Sequence, residues 1–362
     1  MRLLHLRHII FLSLIMLLQI NTSQSVKAAP VGTGEDFDAG AMIIDHVIDA
    51  HEWHLFSIGD KHYSIYLPVI LYYNQNFYFF SSRRFDHGYK SYKGFKIESE
   101  GPHKGKIVRT IDGTMKTDHD ASRPLDFSIT KHVVVLFFSI IMLIVIFLTI
   151  AKKYKRHPNE PPSGFQSLIE PLIIFIRDDV AKSAIGQEKF EKYTPYLLTL
   201  FFFIFFNNLL GLIPIFPGGA NFTGDITVAM TLALFTFIIT QIIGTKTYWV
   251  HIFNTPGVPW YMKFPIPLMP IIEVASMFIK PFVLMVRLFA NITAGHLIVL
   301  GFISLIIILG QINMLIGYSI TIVSVPLAVF MSLVELIVAF IQAYVFTLLT
   351  ALYFGVAVEE SH

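Results

Sequence analysis

Arg287 sits inside an apolar run, Lys280-Pro-Phe-Val-Leu-Met-Val-Arg287-Leu-Phe-Ala-Asn291-Ile-Thr-Ala-Gly-His296, seven positions from the nearest basic residue. An arginine at the centre of a membrane helix costs about 2.5 to 3.5 kcal/mol on insertion scales, so it needs a partner or a purpose; snorkelling to a headgroup is the bland alternative. A guanidinium keeps its charge at working pH and cannot relay protons, but it can attract an ionised carboxylate and repel a proton. His296 and Glu335 can titrate. In an antiparallel pair of helices, residues at one level keep a nearly constant sum of positions. The pairs His296 with Glu335 and Arg287 with Gln342 share one such register, centred near residue 315. Glu335 and Gln342 lie close to one helical face with Ala339 between them, and Arg287 shares a face with Asn291. His296 falls on roughly the opposite face from Arg287. Either the helix bends near Gly295 or the histidine serves a water-filled cavity.

Such groups need an apolar frame. With 54% hydrophobic and only 14% charged residues among 362, the chain has too little polar surface to coat a soluble globule. The net charge of +2 and the scattered basic clusters offer no stripe for a phosphate backbone, so nucleic acid is not an expected partner. The absence of cysteine excludes thiol redox chemistry and thiolate metal sites. Apolar segments are expected to span at about 132–151, 195–215, 226–244, 270–309 and 315–358. Lys152, Lys153, Lys155 and Arg156 after the first span should stay inside the cell. Pro158, Pro161 and Pro162 then break the chain, and a segment from Gly164 to Lys192 suits a helix at the cytoplasmic interface. The loop from Pro217 to Asp225 has no basic residue and should lie outside, whereas Lys246 and Lys263 mark an inner loop. The last two segments, joined at Gly310-Gln311-Ile312-Asn313, are each about 40 residues, roughly twice a perpendicular span. They must tilt or bend, and Pro326, Gly301 and Gly310 offer bends.

Residues 1–29 read as a secretory signal, with Arg2 and Arg7, an apolar stretch from Ile9 to Leu18 and small residues at Val26 and Ala28. Residues 30–131 carry strand-like runs such as 63–67 and 77–80 and are expected to form a small extracytoplasmic β-rich domain. The fold class is therefore all-α integral membrane: about five membrane-embedded helices over 132–362, including a long, strongly tilted C-terminal hairpin, preceded by that β-rich segment.

The string Arg287-Leu-Phe-Ala-Asn291 with Ala294-Gly295-His296 resembles the signature of the a subunit of F-type ATP synthase. So do Gln342-Ala-Tyr-Val-Phe-Thr-Leu-Leu-Thr and Asn207-Asn208-Leu-Leu-Gly-Leu-Ile-Pro214, and the resemblance covers roughly residues 128 to 358. It implies a proton-translocating stator subunit of the bacterial inner membrane, N-terminus outside and C-terminus inside. Its partners would be the ring of c subunits, the b-subunit peripheral stalk and the bilayer. The residue matching Arg287 would face the ring and separate two half-channels, with Asn291, His296, Glu335 and Gln342 along the proton path. In some members the positions of His296 and Glu335 hold glutamate and histidine, an exchange that keeps one imidazole and one carboxylate. The chain contains no nucleotide motif and no cofactor is implied, so ATP chemistry would lie elsewhere in the complex.

Glu273 and Lys280 resemble positions near the inner half-channel, or else snorkel at the interface. Asp225 either borders the outer channel or caps a helix. Asn207 and Asn208 suit helix–helix hydrogen bonds or a water-facing position. His46, Asp49, His51 and His54 cluster without a recognised metal spacing, so solvated or locally hydrogen-bonded roles are expected. A transporter of an anionic solute anchored by Arg287 is the alternative function, although no internal repeat supports it. A receptor with passive spans is a further one.

Overall fold

The computed structural model describes residues 49–58, 61–98, 103–111, 114–118, 121–156, 160–213, 221–254 and 268–359. The expected signal at 1–29, the rest of the chain before Asp49 including His46, the break at Pro158, the first part of the loop that starts at Pro217, and Lys263 lie outside the described residues. Two compact units emerge. One holds the β-rich region up to Phe137 together with Leu300–Phe330, and the other holds Phe138–Leu212, Asn221–Val299 and Met331 onward.

In the first unit, β1 (Glu52–Ile58) pairs antiparallel with β2 (Lys61–Tyr66), and β5 (Phe95–Ile97) with β6 (Ile107–Arg109). A three-stranded antiparallel sheet has the order β4 (Asn76–Ser81), β3 (Pro68–Tyr73), β7 (Leu125–Asp126). The β3–β4 hairpin closes through Asn74 and Gln75, both at positive φ, the backbone a tight two-residue turn demands. Alternation then sorts the side chains. Val69, Leu71 and Phe80 turn inward to join Phe85, Phe95 and Ile107 in a small core. Polar groups tie the ends: His51 Nε2 meets Asp126 Oδ2 at 2.8 Å, and Asp49 Oδ1 accepts from the backbone N–H groups of Ala50 and His132. His51 and Asp49, weighed above as metal candidates, are thus engaged in hydrogen bonds.

Five described helices are long and apolar enough to cross a membrane. They are α1 (Lys131–Arg156), α3 (Phe190–Leu212), α4 (Ile226–Ile243), α6 (Leu268–Ile312) and α7 (Met314–Val358), which match the expected spans to within a few residues. Lys153, Lys155 and Arg156 occupy the last turn of α1, where cations favour the helix dipole. The segment between α1 and α3 forms α2 (Phe165–Ile174), continued by a π-helical stretch, Phe175–Lys182. It buries Ile169, Ile176, Val180 and Ala181 in the helical core and leaves Arg177 outside, a division that fits an amphipathic interfacial helix. The short α5 (Lys246–Phe253) follows α4.

The connection expected at residues 310–313 is tighter than the sequence implied. Helix α6 continues to Ile312 and α7 begins at Met314, so only Asn313 interrupts the two, and its Oδ1 accepts the N–H of Leu315. Gly310 and Gly317 explain how this closes: a Cβ on Gly317 would stand 2.7 Å from the Cα of Gly310, a separation no side chain tolerates. Pro326 is accommodated within α7, which runs unbroken to Val358.

Candidate functional site

Helix α6 presents Arg287 to one side. At 100° per residue, Val283, Ala290, Ala294 and Ile298 fall within about 60° of it, and all four are exposed, whereas Leu284, Leu288 and Ile292 on the other flank are buried. Arg287 itself is half-buried, and Asn291 is exposed one turn on. The alanines leave a shallow strip on which another helix could approach closely.

His296 projects from the opposite side, where it meets α7. Its Nδ1 lies 3.2 Å from Glu335 Oε1, within ion-pair reach but without hydrogen-bond alignment. Glu335 is only 4% exposed. Gly295 makes room for it: a Cβ there would come within 2.9 Å of Glu335 Oε1. The register inferred from sequence therefore holds for His296 and Glu335, and the glycine noted only as a possible bend lets the carboxylate in.

Gln342 shares the buried face of α7 with Glu335 and Ala339. Between them α3 fastens on, as Asn208 Nδ2 donates to the carbonyl of Ala339 at 3.0 Å, while Asn207 Nδ2 bonds within its own helix to Phe203. Asn208 thus glues helices together and Asn207 does not. Asp225 caps α4, its Oδ1 accepting the N–H of Thr227. The neighbouring Gly224 carbonyl accepts Thr293 Oγ1 at 3.1 Å, which fixes the start of α4 to α6 three residues from His296.

A second polar group lies along α6 in the other direction from Arg287. Lys280 Nζ stands 5.5 Å from the Tyr353 ring centre, and the two help line a narrow cleft with Thr236, Thr240, Gln241 and Tyr248. Tyr248 donates to Gln241 Oε1 at 3.3 Å. Burial raises its phenol above the ordinary value; the bond to Gln241 opposes that, and the charge of Glu273 adds to it. With 1.5 Å per residue, Lys280 is about 10 Å from Arg287 along the helix and His296 about 13 Å on the other side. Arg287 thus stands between a buried His–Glu pair and a Lys–Tyr cleft. Tyr248, Gln241 and Tyr353 went unnoticed in the sequence, where nothing separates them from ordinary interfacial residues.

Residues 133–355 match the family model described as ATP synthase A chain, and residues 42–127 match a second, described as Domain of unknown function (DUF8433). "ATP synthase subunit a" of Chlorobium phaeobacteroides (strain BS1) is 46% identical over 245 residues, 66% of this chain and 68% of that protein. "ATP synthase subunit a 2" of Chlorobaculum tepidum is 44% identical over 255 residues, 69% of this chain and 68% of the relative. The "ATP synthase subunit a" of Myxococcus xanthus is 40% identical over 244 residues, covering 66% and 75% respectively. A cation on an open helix face, a buried imidazole–carboxylate pair and a family model spanning all five long helices agree: the chain belongs to the ATP synthase A chain family.

Proposed function

We propose that this chain is the proton-translocating a subunit of a bacterial rotary ATP synthase, a multi-pass protein of the inner membrane that couples proton flow to rotation of a ring. The observation that carries the proposal is the position of Arg287 on the exposed, alanine-flanked face of α6, between two separate polar groups. A permanent cation in a low-dielectric setting attracts a carboxylate strongly. On this reading Arg287 faces the c-subunit ring and keeps each passing acid ionised, while its charge bars protons from crossing directly.

The outer route runs past Asp225 to His296 and Glu335, which at 3.2 Å need only a rotation into alignment for a proton to pass between imidazole and carboxylate. Asn291 and Gln342 flank the level of Arg287 and orient the approaching acid by hydrogen bonding. The ring acid turns through lipid while neutral and releases its proton into the inner route, the cleft of Lys280 and Tyr353 with Glu273 at its mouth. One charge moving down 100 mV releases about 2.3 kcal/mol, so several per turn are needed to drive ATP formation. The N-terminus lies outside and the C-terminus inside, in keeping with the basic last turn of α1. Residues 1–29 act as a secretory leader, 30–131 as an extracytoplasmic domain and 132–362 as the membrane domain, with the b-subunit stalk as a further partner. The relatives lend no support to solute transport.

The test is Arg287→Ala in the assembled complex. Coupled proton transport should fall by at least about 10²-fold, the scale of losing one preorganised charge, with the subunit still present in the membrane. Retained ATP-driven proton pumping would overturn the reading.

A further inference from the structure

The three-stranded sheet is apolar on both faces, and only one of them meets the core. Register places Ile70 opposite Phe79 on β4, and Tyr72 opposite Phe77 on β4 and Leu125 on β7. Phe127 continues β7, donating its N–H to the carbonyl of Ile70. Alternation therefore puts two rows, Phe79–Ile70–Phe127 and Phe77–Tyr72–Leu125, on the outer face. Phe77 is 72% exposed, Phe79 70%, Phe127 60% and Leu125 59%. Four large apolar side chains side by side on a surface mark a place where something docks.

The tether of this sheet identifies what docks. β-type pairing runs on past β7, with Ile129 N–H bonded to the carbonyl of Pro68 and Lys131 N–H to that of Ala50, and Lys131 is the first residue of α1. The apolar part of α1, residues 133–151, is about 29 Å long at 1.5 Å per residue and so fills a hydrocarbon core of ~30 Å. Its start therefore sits at headgroup level. Phe127 is four residues before Lys131, the first residue of α1, at most about 14 Å along an extended strand, and the hydrogen-bonded ladder holds that distance.

We propose that the outer face of this sheet is a membrane-docking surface, resting on the headgroup–acyl boundary of the leaflet in which α1 begins. The inference requires only that α1 spans the bilayer and does not depend on the proton-path reading. The row containing Phe79 and Phe127, one strand period nearer α1, inserts more deeply than the row containing Phe77 and Leu125. Arg123, exposed and two residues before Leu125, precedes β7 on the side away from α1, where water should resume.

The chain contains no cysteine, so single nitroxide labels can be placed without background. Full-length protein carrying Phe79→Cys, Phe127→Cys, Phe77→Cys or Leu125→Cys would be reconstituted in nanodiscs of phosphatidylethanolamine and phosphatidylglycerol, with Asn76→Cys at the hairpin tip as the aqueous reference. Collision with oxygen relative to a water-soluble nickel chelate should rise severalfold over the reference at 79 and 127, and by less at 77 and 125. Equal ratios at all five sites would overturn the proposal. Exclusion of both reagents would also overturn it: with spin–spin broadening the occupant is a second copy, and without broadening it is another part of this chain.

Discussion

The β-rich region and the helical region both pair acids with neighbours far off in the chain, but they treat them differently. Asp126 accepts from His51 at 2.8 Å and from Ser128, and Glu98 is held by Lys96 at 3.0 Å and by Thr117. Those carboxylates, Asp126 exposed and Glu98 half-buried, are locked by aligned donors at the margin of the small aromatic core. Glu335 is nearly as hidden as any core side chain, yet its Oε1 has only the unaligned His296 ring at 3.2 Å and the gap over Gly295. Aligned donors hold one protonation state and stabilise a fold. A carboxylate beside an imidazole, without that lock, can exchange a proton. On the proposed reading, the contrast separates an acid that builds structure from one placed to work.

Removing the working acid should break the contrast most sharply. Glu335→Gln keeps the shape and is expected to lower ATP-driven proton pumping in membrane vesicles by about 10²-fold or more, the scale of a lost proton-transfer group. His296→Ala should cost as much by itself, and the double variant little more, as expected of two groups acting as the one relay proposed. Full additivity would show that they work separately. Gly295→Ala is next. Its Cβ would push the carboxylate aside at a packing cost of about 1 to 3 kcal/mol, and a roughly tenfold loss of pumping should follow with the complex intact.

On the structural side, Asp126→Asn should leave pumping unchanged and destabilise the β-rich region by about 1 to 3 kcal/mol, read by hydrogen exchange of β3 and β7. Burial pushes the Asp126 carboxyl up, but the bonds from His51 and Ser128 outweigh it and hold the group below the usual carboxylate range. Its stabilisation is therefore complete above about pH 3.9, the ordinary unfolded value, and is lost as pH falls through the lower folded one. Protection of β3 that held unchanged as pH fell through that range would show that the Asp126 bonds do not carry it. The smallest effect is expected for Asn208→Leu, which removes the bond to the Ala339 carbonyl. Interhelical bonds of this kind average about 0.6 kcal/mol in membranes, so thermal stability should shift by only a degree or two with pumping retained.

Much of the helical frame was legible because a membrane span is a one-dimensional property. Runs such as 133–151 and 226–243 must be apolar over about 20 residues wherever they end up, and the cations after Ala151 announce their own boundary. Arg287 stood out for the same reason, since its cost in hydrocarbon does not depend on its neighbours. The pairing of His296 with Glu335 was legible through register, because two helices joined by a short turn keep count of each other. Helical period gave the sharing of one face by Arg287 and Asn291, and packing alone showed that this face is open.

Close approach was not legible, because a sequence does not say which backbone a glycine will touch. Gly310 looked like part of a loop and proved to be the contact that lets α6 and α7 turn on Asn313. Gly355, in a row of small residues, is where α7 meets the carbonyl of Ala184 so tightly that no side chain fits. The exposed aromatic face of the β3 sheet was equally hidden. Phe77 to Phe80 read as one apolar strand, and only the pairing with β3 and β7 shows which rings face the core and which face out. Composition and period thus determined that the chain spans a membrane and which charges it carries there. The tertiary structure alone decided which of those charges meet, because contact depends on distances between segments far apart in the chain.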